Sequence, residues 1–301
     1  MKDLTLVVMA AGMGSRFGGL KQITPVDEDG NFIIDYSVYD AKKAGFNKVV
    51  FVIKEENLHD FESTIGKRLR NQIEVEYAFQ KLEDVPRTLD LSNRKKPWGT
   101  VQAVLCAKKY VNGAFVVINA DDFYGYDSFF KAAQFLSAHD QAGEYASIAY
   151  PFGVTKSDVG AVKRGVLEIE DGRVHSIIES SIEVIDDEKA LASPLDGSEP
   201  FEILINAPVS MNMFAFQHDF FEKLEVYFED FFAQEDDVVL SCEALLPDCI
   251  EKNIKSHEIS VYVVSTNGQW LGMTYQEDLK AVKEKIHELK EKHEYPTNLW
   301  S

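Results

Sequence analysis

The chain has 301 residues, 45% of them hydrophobic, enough for one large α/β domain or two smaller ones around a sizeable core. Its formal net charge is −19, with 31 lysines and arginines against 50 aspartates and glutamates, and such a surface repels nucleic acid and anionic lipid. No apolar run approaches the roughly 18 residues of a membrane span, Met1-Lys2-Asp3-Leu4 leads straight into an apolar stretch without a leader's long apolar region, and Cys106, Cys242 and Cys249 form neither a CxxC pair nor a cluster with histidine. A reduced, cytoplasmic protein without disulfides or zinc is expected.

Residues 4–10 are a continuous apolar run and read as a buried parallel strand. A glycine-rich stretch follows, through Gly18-Gly19. Asp35 opens a helical pattern over residues 36–44, which Gly45 closes. Residues 48–53 read as a second buried strand, 56–70 as an amphipathic helix, 73–79 as a strand, and 82–98, with Pro86 and Pro97, as a loop. Residues 100–110 are expected as a helix and 114–118 as a third buried strand, ending at Asn119-Ala120-Asp121-Asp122. This alternation predicts a parallel, doubly wound sheet through residue 150.

The pattern then changes. Residues 160–180 read as a hairpin around Asp171-Gly172, and 185–200, acidic and holding Pro194, Gly197 and Pro200, as a loop. Residues 209–216 are a strand candidate, 217–232 a helix, 257–265 a strand and 275–293 a long charged helix. The expectation is one α/β domain over 1–301, whose second half, 151–301, adds antiparallel elements and a C-terminal helix to a first half, 1–150.

Glycines after a buried first strand let backbone N–H groups approach phosphate oxygens. Gly12-x-Gly14 fits neither commoner phosphate loop. The dinucleotide fingerprint needs a glycine where Phe17 stands, and the Walker loop needs Gly-Lys-Ser/Thr where Leu20-Lys21-Gln22 stand. What remains is Gly12-x-Gly14-Ser15-Arg16 followed by Lys21. A guanidinium forks onto phosphate oxygens and a lysine adds a point charge. Together they suit a triphosphate and the charge that gathers on a leaving pyrophosphate. In Asn119-Ala120-Asp121-Asp122-Phe123-Tyr124-Gly125, carboxylates stand at the C-terminal end of a buried parallel strand. Open α/β sheets bind ligands there, and a carboxylate can hold Mg2+ together with substrate phosphates.

Met9-Ala10-Ala11-Gly12-Met13-Gly14-Ser15-Arg16, with Lys21 after it, resembles the signature loop of the sugar-phosphate nucleotidyltransferase family. The resemblance implies a Rossmann-like, doubly wound mixed sheet, mostly parallel, with an antiparallel insertion on the substrate side, as in nucleotide-diphospho-sugar transferases. It implies Mg2+-dependent transfer of a nucleoside monophosphate from a nucleoside triphosphate, UTP being favoured, to a sugar 1-phosphate, with release of pyrophosphate. Arg16 and Lys21 become the catalytic cations, and Asp121 the metal ligand, with Asp122 next to it. Ala11, Gly12, Gly14, Ser15, Gln80, Gly99 and Thr100 become nucleotide-binding residues. Gly165, Glu179 and Asn212 (or Asn206) resemble sugar-contacting positions, and Lys163 is a candidate for the sugar phosphate.

The sequence departs from the family in two places. The stretch between Arg16 and Lys21 is the compact Phe17-Gly18-Gly19-Leu20. In Gln269-Trp270-Leu271-Gly272-Met273, Gly272 stands where many relatives carry a second metal-binding aspartate. Three other readings stay open: a transferase for choline- or polyol-phosphate, a nucleotide-sugar binding protein without turnover, and an NAD-dependent oxidoreductase. The seryl, histidyl and cysteinyl residues show no triad spacing, so a covalent enzyme intermediate is not expected.

Overall fold

The computed structural model describes residues 3–12, 23–92, 94–157, 160–273 and 278–300. The strands are β1 (Leu4–Met9), β2 (Lys48–Ile53), β3 (Glu74–Phe79), β4 (Ala114–Asn119), β5 (Asp122–Phe123), β6 (Glu144–Pro151), β7 (Val162–Glu170), β8 (Arg173–Val184), β9 (Lys189–Pro194), β10 (Phe201–Leu204), β11 (Pro208–Phe216), β12 (Ser260–Ser265) and β13 (Leu271–Gly272). The helices are α1 (Ile33–Lys43), α2 (Leu58–Phe61), α3 (Lys67–Leu69), α4 (Thr100–Cys106), α5 (Tyr126–Ala138), α6 (Phe152–Thr155), α7 (Phe220–Phe232), α8 (Asp236–Ser241), α9 (Leu246–Lys255) and α10 (Asp278–Glu291). Among the described residues no helix is long and apolar enough to cross a membrane.

The main sheet runs β10-β9-β8-β12-β6-β11-β4-β1-β2-β3, with β7 bridging β11 and β8. Strands β4, β1, β2 and β3 are mutually parallel, as the alternation of strands and helices predicted. Successive residues of these runs face opposite sides. Leu6, Val8, Val49 and Phe51 meet Ile34, Val38 and Ala41 of α1, while Val7, Val50, Phe115 and Val117 meet Phe220, Phe221 and Leu224 of α7. Burial on both faces is why β1, β2 and β4 show no polar alternation, whereas β3, at the edge of the sheet, alternates.

The sheet is mixed because β11 lies between β4 and β6 and is antiparallel to both. The β7–β8 hairpin closes on Asp171 and Gly172, with φ +49° and +76°, the two left-handed residues that a tight turn of this kind requires. Residues 185–200 are not only loop. Strand β9 pairs antiparallel with β8, and Ala190 and Ala192 are buried along it. Its inward residues are the small Ala190 and Ala192, and the outward Leu191 between them is apolar and exposed, so the two-residue period is weak in sequence. The helix expected over 56–70 is divided: a π-helical segment, Glu62–Gly66, separates α2 from α3.

One buried acid in this core makes stability depend on pH. Asp40 of α1 is fully buried, and its Oδ2 accepts a hydrogen bond from Tyr295 Oη at 2.6 Å, while Oδ1 has no partner among the described residues. Burial pushes its carboxyl up to about 8; Tyr295 and Lys43 pull it down and Glu294 adds to the rise. The folded chain therefore keeps a proton that the unfolded chain releases above about pH 4. The contribution of Asp40 to stability falls as pH rises from about 4 to about 8 and then levels off. Asp40→Asn keeps an acceptor for Tyr295 and cannot ionise. We expect it to melt above wild type at pH 8.5 and close to wild type at pH 4.5, in thermal unfolding followed by circular dichroism.

Candidate active site

The parallel strands end along one edge. Met9 of β1 lies opposite Asn119 of β4. Ala120 N–H donates to Met9 O at 3.2 Å, and Ala10 N–H to Val52 O at 2.8 Å. Ala11 and Gly12 thus leave β1 beside the point where Asp121 leaves β4. Gly14, Ser15, Arg16 and Lys21 lie outside the described residues.

Two strands further along, Gln80 follows the end of β3. Its Nε2 donates to Gly99 O at 3.0 Å and to Gln102 Oε1 at 3.1 Å, and Gln102 Nε2 donates in turn to Lys81 O at 2.7 Å. Gln80 and Gly99 are therefore one bonded unit at the start of α4. Thr100 Oγ1 accepts from Leu246 N–H at 2.7 Å, so this hydroxyl oxygen holds the start of α9.

The loop before α4 is fixed by a residue that sequence reading did not single out. Arg94 is buried, stacks on the Trp98 indole at 3.8 Å, and donates to the carbonyls of Lys96, Pro97, Val239, Leu240 and Cys242. Three of these five acceptors lie about 145 residues away in sequence, so no local pattern announces the role.

Asp121 is half-buried, and its backbone carbonyl accepts from Met273 N–H at 3.2 Å. Asp122 is buried, and its Oδ2 accepts from Asn119 Nδ2 at 2.9 Å and lies 3.3 Å from Tyr124 Oη. Strand β5 pairs antiparallel with β13, so Gly272 stands directly across from Asp122. A Cβ on Gly272 would lie 2.2 Å from Trp270 Cη2, so the indole fills the space that a carboxylate at 272 would need. Among the described residues there is no group of three or more His, Cys, Asp or Glu that could hold a metal. Such a sparse, all-oxygen set still fits Mg2+, which keeps waters and substrate phosphates and needs only one or two carboxylates.

Across β4 lies the second half of the site. Gly165 of β7 pairs with Glu179 of β8 and with Ser210 of β11. A Cβ on Gly165 would come within 2.9 Å of Glu179 Oε1, so the missing side chain gives this carboxyl its room. Asn212, at φ +58°, sits where the register of β11 shifts, and its N–H donates to Ser210 Oγ at 3.3 Å. Tyr124 Oη donates to Met211 O at 2.9 Å and ties this irregularity to the end of β4. Asn206 lies exposed in the turn before β11, and Lys163 is exposed on β7, so of these candidates Asn212 is the one held between Ser210 and the end of β4.

Near this group, Arg164 carried no sequence signal, and Trp270 entered the sequence reading only as part of the segment around Gly272. The Arg164 guanidinium lies over the Trp270 ring, 4.6 Å from its centroid, and donates to Lys163 O at 2.7 Å and Thr155 O at 2.6 Å. Burial pulls its pKa down, while Asp122 and Glu179 hold it up. Burial likewise raises the Glu179 carboxyl, Asp248 adds to the rise and Arg164 opposes it.

The family model for nucleotidyl transferase matches residues 5–288. The chain belongs to the nucleotidyl transferase family. No curated protein matches it by sequence. Among solved structures, it is similar to a Bacillus anthracis protein assigned as a glucose-1-phosphate thymidylyltransferase and solved with a sucrose (14% identity, 94% of each chain covered, TM-score 0.63). It is also similar to a UDP-glucose pyrophosphorylase complexed with UDP-glucose (16% identity, 96% of this chain and 99% of that one, TM-score 0.60). A third is the inositol-1-phosphate CTP transferase of T. maritima (15% identity, 97% and 98%, TM-score 0.61). At these identities the likeness is one of fold: the mixed α/β sheet of this family is shared over almost the whole length.

Proposed function

We propose that this family member transfers a nucleoside monophosphate from a nucleoside triphosphate to a sugar 1-phosphate, giving a nucleotide sugar and pyrophosphate. The observation that supports this most is the shared strand edge. Ala11, Gly12 and Asp121 stand at its centre, the Gln80–Gly99 unit on one side, and Gly165, Glu179 and Asn212 on the other.

In this reading an oxygen of the acceptor phosphate forms a bond to the α-phosphorus, the bond from that phosphorus to the β-phosphate bridge breaks, and the electron pair leaves with pyrophosphate. Because the acceptor is itself the nucleophile, the protein's work is positioning and charge neutralisation. Gln80 and the backbone of Gly99 and Thr100 face the base. Backbone N–H groups from Ala11 through Ser15 hold phosphate oxygens, and Arg16 and Lys21 offset the charge of nucleotide and leaving group. Asp121 holds Mg2+, which when bound neutralises phosphate charge and aligns the two substrates. Glu179 and Asn212 bond hydroxyls of the acceptor.

A second reading, a polyol phosphate as acceptor, is favoured by the likeness to an inositol-1-phosphate transferase. Pyrophosphate release tests both. UTP, CTP, ATP and GTP, each with Mg2+, are assayed against glucose 1-phosphate, inositol 1-phosphate and phosphocholine. We expect release that needs both substrates, fastest with UTP and the sugar phosphate. A faster reaction with inositol 1-phosphate would select the second reading. No release in any pairing, with tight binding of a nucleotide sugar, would make the protein a binder and overturn both.

A further inference from the structure

The side-chain amides of Gln80 and Gln102 each have one orientation, and backbone carbonyls dictate it. A carbonyl oxygen accepts and never donates, so the amide atom that faces it must be the nitrogen. Gln102 of α4 is 3% exposed and turns its Nε2 to Lys81 O at 2.7 Å and to Asp84 O at 3.1 Å. Both of its donors are then used, and its Oε1 faces Gln80. Gln80 Nε2 in turn spends its two hydrogens on Gly99 O at 3.0 Å and on Gln102 Oε1 at 3.1 Å.

What Gln80 has left is an acceptor. No described residue donates to its Oε1. Gln80 is half-buried, and this oxygen is not among the enclosed side-chain atoms that lack a partner, so it stays open to a ligand. The loop that carries the two outer carbonyls is itself held. Trp98 is fully buried, and its Nε1 donates at 2.9 Å to Leu82 O, between Lys81 and Asp84. Turning either amide over would set oxygen against oxygen at two places, which costs more away from bulk water than in it.

We infer that Gln102 is a positioning residue that fixes the polarity of the base site: through Gln80 it presents a carbonyl oxygen to the base, and so selects uracil over cytosine. The inference rests on the reading of Gln80 as a base contact in a nucleotidyl transferase. Uracil carries an N–H at ring position 3, and that N–H donates to Gln80 Oε1. Cytosine in the same pose turns an unprotonated nitrogen on the oxygen, two acceptors with no hydrogen between them. A lone glutamine serves either base by turning its amide over. Gln102 removes that freedom.

The test is calorimetric and does not need turnover. UTP, CTP and N3-methyl-UTP, which lacks the ring N–H, are titrated into the full-length protein and its Gln102→Leu and Gln102→Glu variants, and each protein's melting temperature is recorded. Wild type should bind UTP at least about tenfold more tightly than CTP or N3-methyl-UTP, the scale of one hydrogen bond made against one acceptor left unpaired. In Gln102→Leu the UTP-to-CTP ratio should fall to within about threefold, UTP losing affinity and CTP gaining it. A general loosening of the fold weakens both nucleotides alike and leaves the ratio in place. Gln102→Glu supplies a rescue that depends on pH. Protonated, its carboxyl keeps an O–H for a backbone carbonyl and an oxygen for Gln80. Ionised, it sets a charged oxygen against Lys81 O and Asp84 O, and burial beside them holds its pKa above the usual carboxylate range. Its UTP-to-CTP ratio should be close to wild type at pH 6 and collapse at pH 8, while the wild-type ratio holds.

A wild-type UTP-to-CTP ratio in Gln102→Leu, or in Gln102→Glu at pH 8, would overturn the inference. So would a wild-type protein that binds CTP or N3-methyl-UTP as tightly as UTP, or that binds none of the three. If Gln102→Leu fails to fold, Gln102→Glu at the two pH values decides alone. A protein that shows this selectivity but releases no pyrophosphate would refute the transferase reading and leave the role of Gln102 standing. Pyrophosphate release with ratios unchanged in the variants would do the reverse.

Discussion

Asp121→Ala is expected to lower the rate of pyrophosphate release at least about a hundredfold, the usual scale for losing one charge-stabilising group. Asp121 follows the end of β4, and Ala11 and Gly12 follow the end of the neighbouring β1; in the proposed reading its carboxylate would hold Mg2+ against the nucleotide phosphates. The backbone carbonyl of Asp121 accepts from Met273 N–H, and alanine keeps that bond to β13. Asp122→Ala should behave differently. Its carboxylate is buried and bonded to Asn119 Nδ2, so its removal leaves donors stranded and should lower stability as well. Initial rates at saturating UTP, together with melting curves, separate the two. A near-normal rate in Asp121→Ala would contradict the role given to this residue.

Gly99→Ala should cost about 3 kcal/mol of stability or more and weaken nucleotide binding at least about tenfold. Gly99 has φ +100°, where an L side chain is strained by about 1–3 kcal/mol. A Cβ there would also lie 2.4 Å from Ala244 O and 2.9 Å from Ala244 N. These backbone atoms cannot move freely, because Ala244 N–H donates to Trp98 O at 2.7 Å and Val101 N–H to Ala244 O at 3.0 Å. The added methyl must push the 244–246 segment from the start of α4, and Gly99 O carries Gln80 with it. Urea unfolding and a UTP titration read the two effects. A variant that unfolds at the wild-type midpoint would show that this contact is looser than the geometry states.

The parts of the fold legible in the sequence were those whose cause is local. Leu6, Val7 and Val8 form an uninterrupted apolar run because β1 is covered on both faces, and Asp171-Gly172 marks its hairpin because the turn needs left-handed residues. The insertion of β11 between β4 and β6 was not legible, since pairing partners are set by the whole sheet. Strand β9 was hidden by the acidic residues and prolines around Ala190 and Ala192.

The site divides along the same line. Asp121, Gln80, Gly99, Gly165 and Glu179 could be named because the family's motifs mark those positions. The geometry adds that Gln80 is bonded to Gly99 and that Gly165 gives Glu179 its room. Arg94 and Arg164 could not be named, and Trp270 was visible only as a letter beside Gly272. Arg94 acts through carbonyls distant in sequence, and Arg164 meets Trp270 only because β7 and β13 are brought to the same cleft. The departure at Gly272 was visible as a letter, but its meaning was not until the indole was seen above it.

The central claim is that the acceptor's own phosphate oxygen attacks the nucleotide, and heavy-oxygen tracing tests it most directly. Wild-type protein is given UTP, Mg2+ and glucose 1-phosphate whose phosphate carries heavy oxygen, and the products are analysed by mass spectrometry. The account requires all of the label in the nucleotide sugar, none in pyrophosphate, and no pyrophosphate when the acceptor is left out. Unlabelled nucleotide sugar, labelled pyrophosphate, or pyrophosphate formed from UTP and water alone would contradict it.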